Sequence, residues 1–231
     1  MQKVSIIIPT LNEAATLDAT LLPLQAWREA GHELILVDGG SDDATATIAA
    51  PLVDQLLKSP PGRARQMNMG TEAASGEVLL FLHADTRLPD GADALILGAM
   101  AQQYRWGRFD VRLSGRHWLL RIVERLMNWR SCLSGIATGD QGIFVERELF
   151  MQLGGFPQLP LMEDVALSSR LKGTVGRPAC IRTPLVTSSR RWEQHGIVRT
   201  IVLMWRLRLA WFLGVPAQRL AKQYRYNKNM K

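Results

Sequence analysis

A chain of 231 residues, 47% hydrophobic and 21% charged, is long and apolar enough to bury one sizeable core, which argues against a disordered protein. Its formal charge of +7 is unevenly placed: from Arg182 to Lys231 eleven Lys or Arg face a single acid, Glu193, and the rest of the chain is slightly acidic. A basic tail on a near-neutral body points toward anions such as lipid headgroups or a phosphorylated substrate; no nucleic-acid-binding module accompanies it.

The two cysteines, Cys132 and Cys180, form no C-x-x-C pair and no metal-ligand spacing. They read as buried free thiols in a reducing compartment. The first apolar run, residues 4–8, is too short for a signal peptide, and no apolar run reaches the ~18 residues that span a bilayer. A cytoplasmic protein is expected, with the inner face of the membrane as the place where its tail meets anions.

Residues 4–9 read as a strand buried on both faces, followed by a helix capped at Asn12 or Thr16 and running to Glu29. Residues 33–37 form a second strand, 43–50 a short helix and 53–57 a short strand. Pro60-Pro61-Gly62 breaks the chain before a helix over 64–74, then come a strand over 77–82 and a helix over 92–102. This alternation predicts βαβ units, hence an α/β fold with a mostly parallel sheet flanked by helices. Farther on, 116–130 forms an amphipathic helix with Leu119, Ile122, Val123 and Leu126 on one apolar face and Arg121, Glu124, Arg125 and Asn128 away from it. Short strands near 139–145 and 180–186 flank a helix over 163–172. An apolar helix over 197–213 follows, interrupted by Arg199, Arg206 and Arg208.

Three polar clusters stand directly after three strands: Pro9 to Glu13, Asp38 to Asp43, and His83 to Thr86. In an open parallel sheet the ligand crevice lies at the carboxyl ends of the strands, so the clusters should converge. Each alone would suit a turn or a helix cap; together they indicate a nucleotide site. Asp38 can accept hydrogen bonds from a base or ribose, and Gly39-Gly40 lets the backbone pass close to a ligand. Arg63 and Arg65 can reach the base or the diphosphate, or can simply be solvated arginines at a helix start. Asp85 can ligate Mg2+ or Mn2+ together with phosphate oxygens. His83, two residues earlier on the same face, can touch ribose or metal, or serve as a structural histidine. Glu163-Asp164 opens a helix, where a carboxylate suits either a cap or a general base. No G-x-G-x-x-G follows the first strand and no G-x-x-x-x-G-K-S/T occurs, which excludes the dinucleotide and P-loop readings. A nucleotidyltransferase would need a Gly-rich basic loop that Pro9 to Glu13 does not supply.

The ordered set S-I-I-I-P-T-L-N-E, V-D-G-G-S-D-D, L-F-L-H-A-D, G-D-Q-G-I-F, L-G-G-F-P and M-E-D-V-A-L resembles family-2 glycosyltransferases of the GT-A fold over about residues 3–172. G-R-A-R-Q-M-N-M-G, F-L-H-A-D-T and S-R-R-W-E-Q-H-G are similar to a bacterial subgroup associated with arsenosugar biosynthesis and radical-SAM/selenodomain proteins. The resemblance implies a nucleotide-diphospho-sugar donor, often UDP-linked, and inverting transfer to a hydroxyl acceptor. By position it makes Pro9, Glu13, Asp38 and Arg63 or Arg65 donor contacts, Asp85 the metal ligand and Asp164 the base. Glu163 assists, and Gly139, Asp140, Arg191 and Trp192 shape the sugar and acceptor side.

Two departures stand out. The family's D-x-D is here His83-Ala84-Asp85, leaving one firm carboxylate for the metal and giving His83 a ribose contact. Ser188 stands where processive members carry the Gln of Q-x-x-R-W, which argues against polymer synthesis. The single carboxylate motivates an alternative, a catalytically weak sugar-nucleotide-binding or membrane-associated partner protein. A transferase domain over 1–190 and a basic helical extension over 191–231 are expected. Apolar residues nearly surround the helix between Thr200 and Trp205, which places it against the core or a second subunit, as in a homodimer. The other reading is an interfacial helix with Trp205, Trp211 and Phe212 among headgroups, continued by Arg219, Lys222, Arg225, Lys228 and Lys231.

Overall fold

Alternating side chains of the first strand divide between two cores, and the sheet grows outward from it. The computed structural model describes the backbone of residues 2–229 and the side chains of residues 2–224. In chain order the elements are β1 (Val4–Thr10), α1 (Ala14–Leu21), α2 (Gln25–Glu29), β2 (Glu33–Asp38), α3 (Thr45–Ala49), β3 (Gln55–Lys58), α4 (Arg63–Ala73), β4 (Val78–Phe81), β5 (Thr86–Arg87) and α5 (Ala92–Ala101). Then come β6 (Trp106–Leu113), α6 (Trp118–Ser134), β7 (Ile143–Glu146), α7 (Arg147–Gln152), α8 (Glu163–Val175), β8 (Ala179–Thr187), α9 (Arg190–His195), α10 (Ile197–Phe212) and α11 (Ala217–Asn229).

One eight-stranded sheet runs in the order β3-β2-β1-β4-β7-β6-β8-β5. β3, β2, β1 and β4 are mutually parallel, β7 is antiparallel to both β4 and β6, and β8 runs parallel to β6. Ile6 and Ile8 face the cluster that holds Leu17, Leu21 and Ile96, whereas Ile7 faces the one that holds Met67, Phe150 and Leu167. Helices thus cover both faces, as a continuously apolar central strand requires. This is the α/β fold the alternation predicts.

Local departures have local causes. The helix expected to reach Glu29 breaks into α1 and α2 around Pro23, which lacks the N–H a helix interior needs. Asn12 caps nothing: it takes a positive φ of 55° and instead accepts a hydrogen bond from the Asp42 N–H at 2.9 Å. Gly107 on β6 lies opposite Phe144 on β7 and Ala179 on β8. A Cβ there would stand 2.7 Å from the Ala179 carbonyl oxygen and press into the Phe144 ring. Gly107→Ala is expected to destabilise the fold by about 1–3 kcal/mol through overpacking, read as a lower midpoint in urea.

Helix α6 is rotated from its expected orientation: Val123 is buried and Arg125 exposed as expected, but Arg121, Glu124 and Asn128 turn inward. Asn128 accepts from the Val111 N–H at 2.8 Å and donates to the Val111 carbonyl at 2.9 Å, and Glu124 accepts from the Leu113 N–H at 3.0 Å. Arg121 donates to the carbonyls of Leu113 and Gly115. A register irregularity between Phe109 and Val111 leaves strand backbone groups for these side chains to satisfy. Ile122 and Leu126, expected inside, are exposed; Leu120 and Val123 are the buried pair.

The cysteine expectation is also corrected. Cys132 of α6 and Cys180 of β8 form a disulfide, with their Cα atoms 6.0 Å apart, so they are not free thiols and give no argument for a reducing compartment. α10 is not a core helix either: Thr200 and Leu207 are its buried residues, while Trp205 is 71% exposed. The tail positions Arg225, Lys228 and Lys231 lie outside the described side chains. Among the described residues no helix is long and apolar enough to cross a membrane.

Candidate functional site

The first two polar clusters are stitched into one rim. The Asn12 N–H donates to Ser41 Oγ at 2.9 Å, the Glu13 N–H to Thr45 Oγ1 at 2.9 Å and the Ala14 N–H to Asp43 Oδ2 at 3.2 Å. Thr45 hydrogen bonding holds the Asp43 carboxyl below its usual range. Beneath the rim, Gln66 of α4 donates to the carbonyls of Thr10 and Val37, both at 2.8 Å, closing the gap where β1 and β2 end. Pro9 is buried inside β1, paired with Val37. Buried Asp38 accepts from the Gly40 N–H at 3.2 Å, the Ser41 N–H at 3.1 Å and Ser41 Oγ at 2.5 Å. Its carboxylate holds the turn, and a ligand donor must share those oxygens.

The third cluster completes the crevice at the end of β4. Asp85 and Glu13 share one cation, Arg190, whose guanidinium lies 3.7 Å and 3.1 Å from them. Burial, then the Glu13 charge, raises the Asp85 carboxyl, against the pull of Arg190 and Arg63. His83 is pushed down to about 3, first by burial and then by the Arg63 charge, so it is neutral at physiological pH. The charge of Arg63, the exposed first residue of α4, also bears on Glu163 and on Arg191. Arg65 is exposed.

Glu163 and Asp164 open α8 after Met162, which takes a left-handed φ of 68°. Asp164 Oδ2 accepts the Gly139 N–H at 2.7 Å, and Oδ1 accepts the Val165 N–H at 2.7 Å. Burial raises the Asp164 carboxyl against these bonds. Glu163 is raised to about 7 by burial and then by the Asp164 charge. Gly139 is the contact point between the halves of the site: a Cβ there would stand 2.6 Å from His83 Nε2 and 3.8 Å from Asp164 Oδ2. Asp140, bonded at 2.5 Å by the Thr138 hydroxyl, adds its charge to Asp164.

Three basic residues belong to this region that the motifs did not single out. Arg190, rather than Arg191, reaches Glu13 and Asp85; the signal was the adjacent pair in Ser189-Arg190-Arg191-Trp192. Arg130 of α6 and Arg208 of α10 bear on Asp164, and Arg130 is lowered to about 10 by burial and by Arg208. Arg191 stacks 3.8 Å over the Tyr224 ring and is lowered to about 10 by burial, then Arg63. Trp192 packs with Leu113, Leu120 and Val123, not among the carboxylates.

Among the described residues no three His, Cys, Asp or Glu side chains cluster as a metal cage. Asp85, with Glu13 sharing its counter-ion, is a donor set of the kind Mg2+ or Mn2+ accepts when substrate phosphates supply further oxygens.

Residues 5–141 match the family described as glycosyl transferase family 2. A PGL/p-HBAD biosynthesis glycosyltransferase of Mycobacterium bovis is 45% identical over 165 residues, 66% of this chain and 62% of that one. The chain therefore spans less than two thirds of that relative's length. The mannosyltransferase PcManGT from Pyrobaculum calidifontis, solved in complex with GDP-Man and Mn2+, superposes with a TM-score of 0.65 at 22% identity, covering 90% of this chain and 61% of that one. S. aureus TarS 1-349 in complex with UDP-GlcNAc gives a TM-score of 0.65 at 17% identity, covering 80% and 58%. These two likenesses are of fold, and they match the GT-A expectation. With more than half its length inside the family match, the chain belongs to glycosyl transferase family 2.

Proposed function

We propose that this chain is an inverting glycosyltransferase that moves a sugar from a nucleoside-diphospho-sugar, UDP-linked, to a hydroxyl acceptor. The observation that carries the reading is the meeting of His83 and Asp164 at Gly139, whose N–H donates to Asp164 at 2.7 Å and whose Cβ position lies 2.6 Å from His83 Nε2. One end of the site offers Asp85, Glu13 and cations suited to a diphosphate; the other offers a carboxylate suited to a proton. Residues 1–190 form the transferase domain in this reading, and 191–231 the helical extension that contributes Arg191 and Arg208.

The nucleoside lies along the rim of Pro9, Glu13 and Asp38, and the neutral His83 imidazole offers the ribose a hydrogen bond. Arg63 and Arg190 face the diphosphate, with Arg65 beside the base. Asp164 takes the proton from the acceptor hydroxyl as its oxygen bonds to the anomeric carbon. The bond from that carbon to the phosphate oxygen breaks on the opposite side, so a single displacement inverts the centre. Glu163, raised to about 7, is partly protonated at neutral pH, which reduces the negative charge beside the base. A divalent cation held by Asp85 would neutralise charge on the departing diphosphate.

The curated relative's name supports a glycosyltransferase, and the two solved neighbours, named with GDP-Man and UDP-GlcNAc, support a sugar-nucleotide donor. The narrower arsenosugar-type assignment is supported by motif resemblance alone, so the acceptor is proposed only as a hydroxyl. Nucleotide diphosphates titrated into the protein with and without Mn2+, followed by thermal melting, test the donor. UDP is expected to raise the melting temperature, and more so with Mn2+. No shift with any nucleotide overturns the donor reading. A shift with no donor consumption in the presence of hydroxyl acceptors leaves a binding protein instead, the reading that the lone carboxylate after His83 favours.

A further inference from the structure

The rotated orientation of α6 leaves an apolar surface that the fold does not use. With Arg121, Glu124 and Asn128 turned onto β6, its opposite side presents Trp118, Ile122, Leu126, Trp129 and Leu133 at helical spacing. Trp129 is 66% exposed. α10 carries a matching stripe, Val198, Val202, Trp205, Leu209 and Phe212, the last 86% exposed. The helices are neighbours, because Ile197 and Ile201 of α10 pack on the cluster of Leu120 and Val123 of α6. A run of 17 residues is about 25 Å long, and exposed stripes with large aromatics on two neighbouring helices are not the scattered apolar residues of an ordinary surface.

The charge around the stripes is mostly positive; Glu193 of α9, which accepts from Ser189 Oγ at 2.9 Å, is an acid at its border beside Gly115. α10 and α11 contain no acidic residue, and the one acid of α6, Glu124, is bonded inward. Arg125, Arg199 and Arg206 are exposed on these helices. Where α6 begins, an open depression of about 470 Å³ is lined by Arg87, Arg112, Arg116 and Arg121. A second copy on this face would set arginines against arginines, which a self-complementary interface cannot neutralise. Anionic headgroups above an apolar layer satisfy both components at once, with Trp at the boundary between them.

We propose that the α6 and α10 stripes with their arginine border dock this protein on an anionic bilayer, the helices lying in the headgroup plane. The docking stands independently of the transferase reading. One consequence rests on that reading: Leu207 of α10 clusters with Met162 and Val165, which flank Glu163 and Asp164, so the docked α10 adjoins the acceptor side of the site.

The test is flotation of the purified full chain with vesicles of phosphatidylcholine alone or mixed with phosphatidylglycerol. Expected is flotation with the mixed vesicles, released by salt, and little with the neutral ones. The exposed pair Trp129→Ala/Trp205→Ala is expected to lower partitioning about a hundredfold, about tenfold per indole. Its thermal melting and nucleotide response should stay unchanged. Arg199→Glu/Arg206→Glu should erase the preference for anionic vesicles. The proposal is overturned by failure to float with mixed vesicles, or by equal binding to both kinds. A dimer in light scattering that the tryptophan pair dissolves, with no vesicle binding, assigns the face to a second copy and also overturns it. Failure of the transferase reading shows separately, as absence of a nucleotide-induced thermal shift with flotation intact.

Discussion

Asp164→Asn is expected to lower sugar transfer by about a hundredfold to ten-thousandfold while leaving UDP affinity nearly unchanged. The substitution keeps the shape of the side chain but replaces one acceptor oxygen with an NH2 donor. Asp164 now accepts N–H groups on both oxygens, from Gly139 and Val165. The Asn variant can satisfy only one of them, so its fold should also lose about 1–3 kcal/mol. A donor titration by calorimetry beside the turnover assay separates the two effects, and an unchanged turnover removes Asp164 as base. The pH dependence sharpens the assignment. Acidification protonates Asp164, and because burial raises that carboxyl, the loss of rate begins above the ordinary carboxylate range. Glu163 binds its proton more tightly folded than unfolded, so its ionisation costs stability as pH rises from 4.5 to about 7. Glu163→Gln should remove that decline, giving its largest relative gain in melting temperature above about pH 7.

The crevice was legible because strand ends are easy to find in a sequence. Pro9, Asp38 and Asp85 each follow an apolar run, and the bonds from Asn12 to Ser41 and from Asp42 to Asn12 join two of the three loops as an open parallel sheet predicts. The face of a helix is harder. Periodicity shows that α6 has two faces, but not that Asn128 and Glu124 would satisfy backbone groups of an irregular strand, sending Ile122 and Leu126 outward. The same gap hid the disulfide: Cys132 and Cys180 are 48 residues apart, on elements whose pairing only the fold reveals. The choice between Arg190 and Arg191 turned on a single residue at the start of α9. A motif register favours Arg191, whereas geometry gives Arg190 the carboxylates and leaves Arg191 on Tyr224. Arg130 and Arg208 had no motif at all. Their link to Asp164 is purely tertiary.

Asp85→Asn should abolish the part of donor binding that depends on Mn2+ and lower turnover by at least about a hundredfold. The substitution removes a charge that burial and Glu13 already oppose, so no loss of folding is expected from it. Arg190 keeps Glu13 as its partner at 3.1 Å, and the rim that receives the nucleoside is untouched. UDP without metal should therefore bind the variant about as well as the parent, or slightly better, since one negative charge near the diphosphate is gone. The two roles open to Asp85 then separate. A carboxylate that holds a cation loses the Mn2+ increment in thermal melting when it becomes an amide. One that merely orients Arg190 leaves the increment intact, and in that case Arg190→Ala should reproduce the fall in turnover that Asp85→Asn causes. His83→Ala supplies the internal standard. A histidine held neutral down to about pH 3 adds no charge to the site, so its loss should weaken nucleoside binding with and without Mn2+ alike.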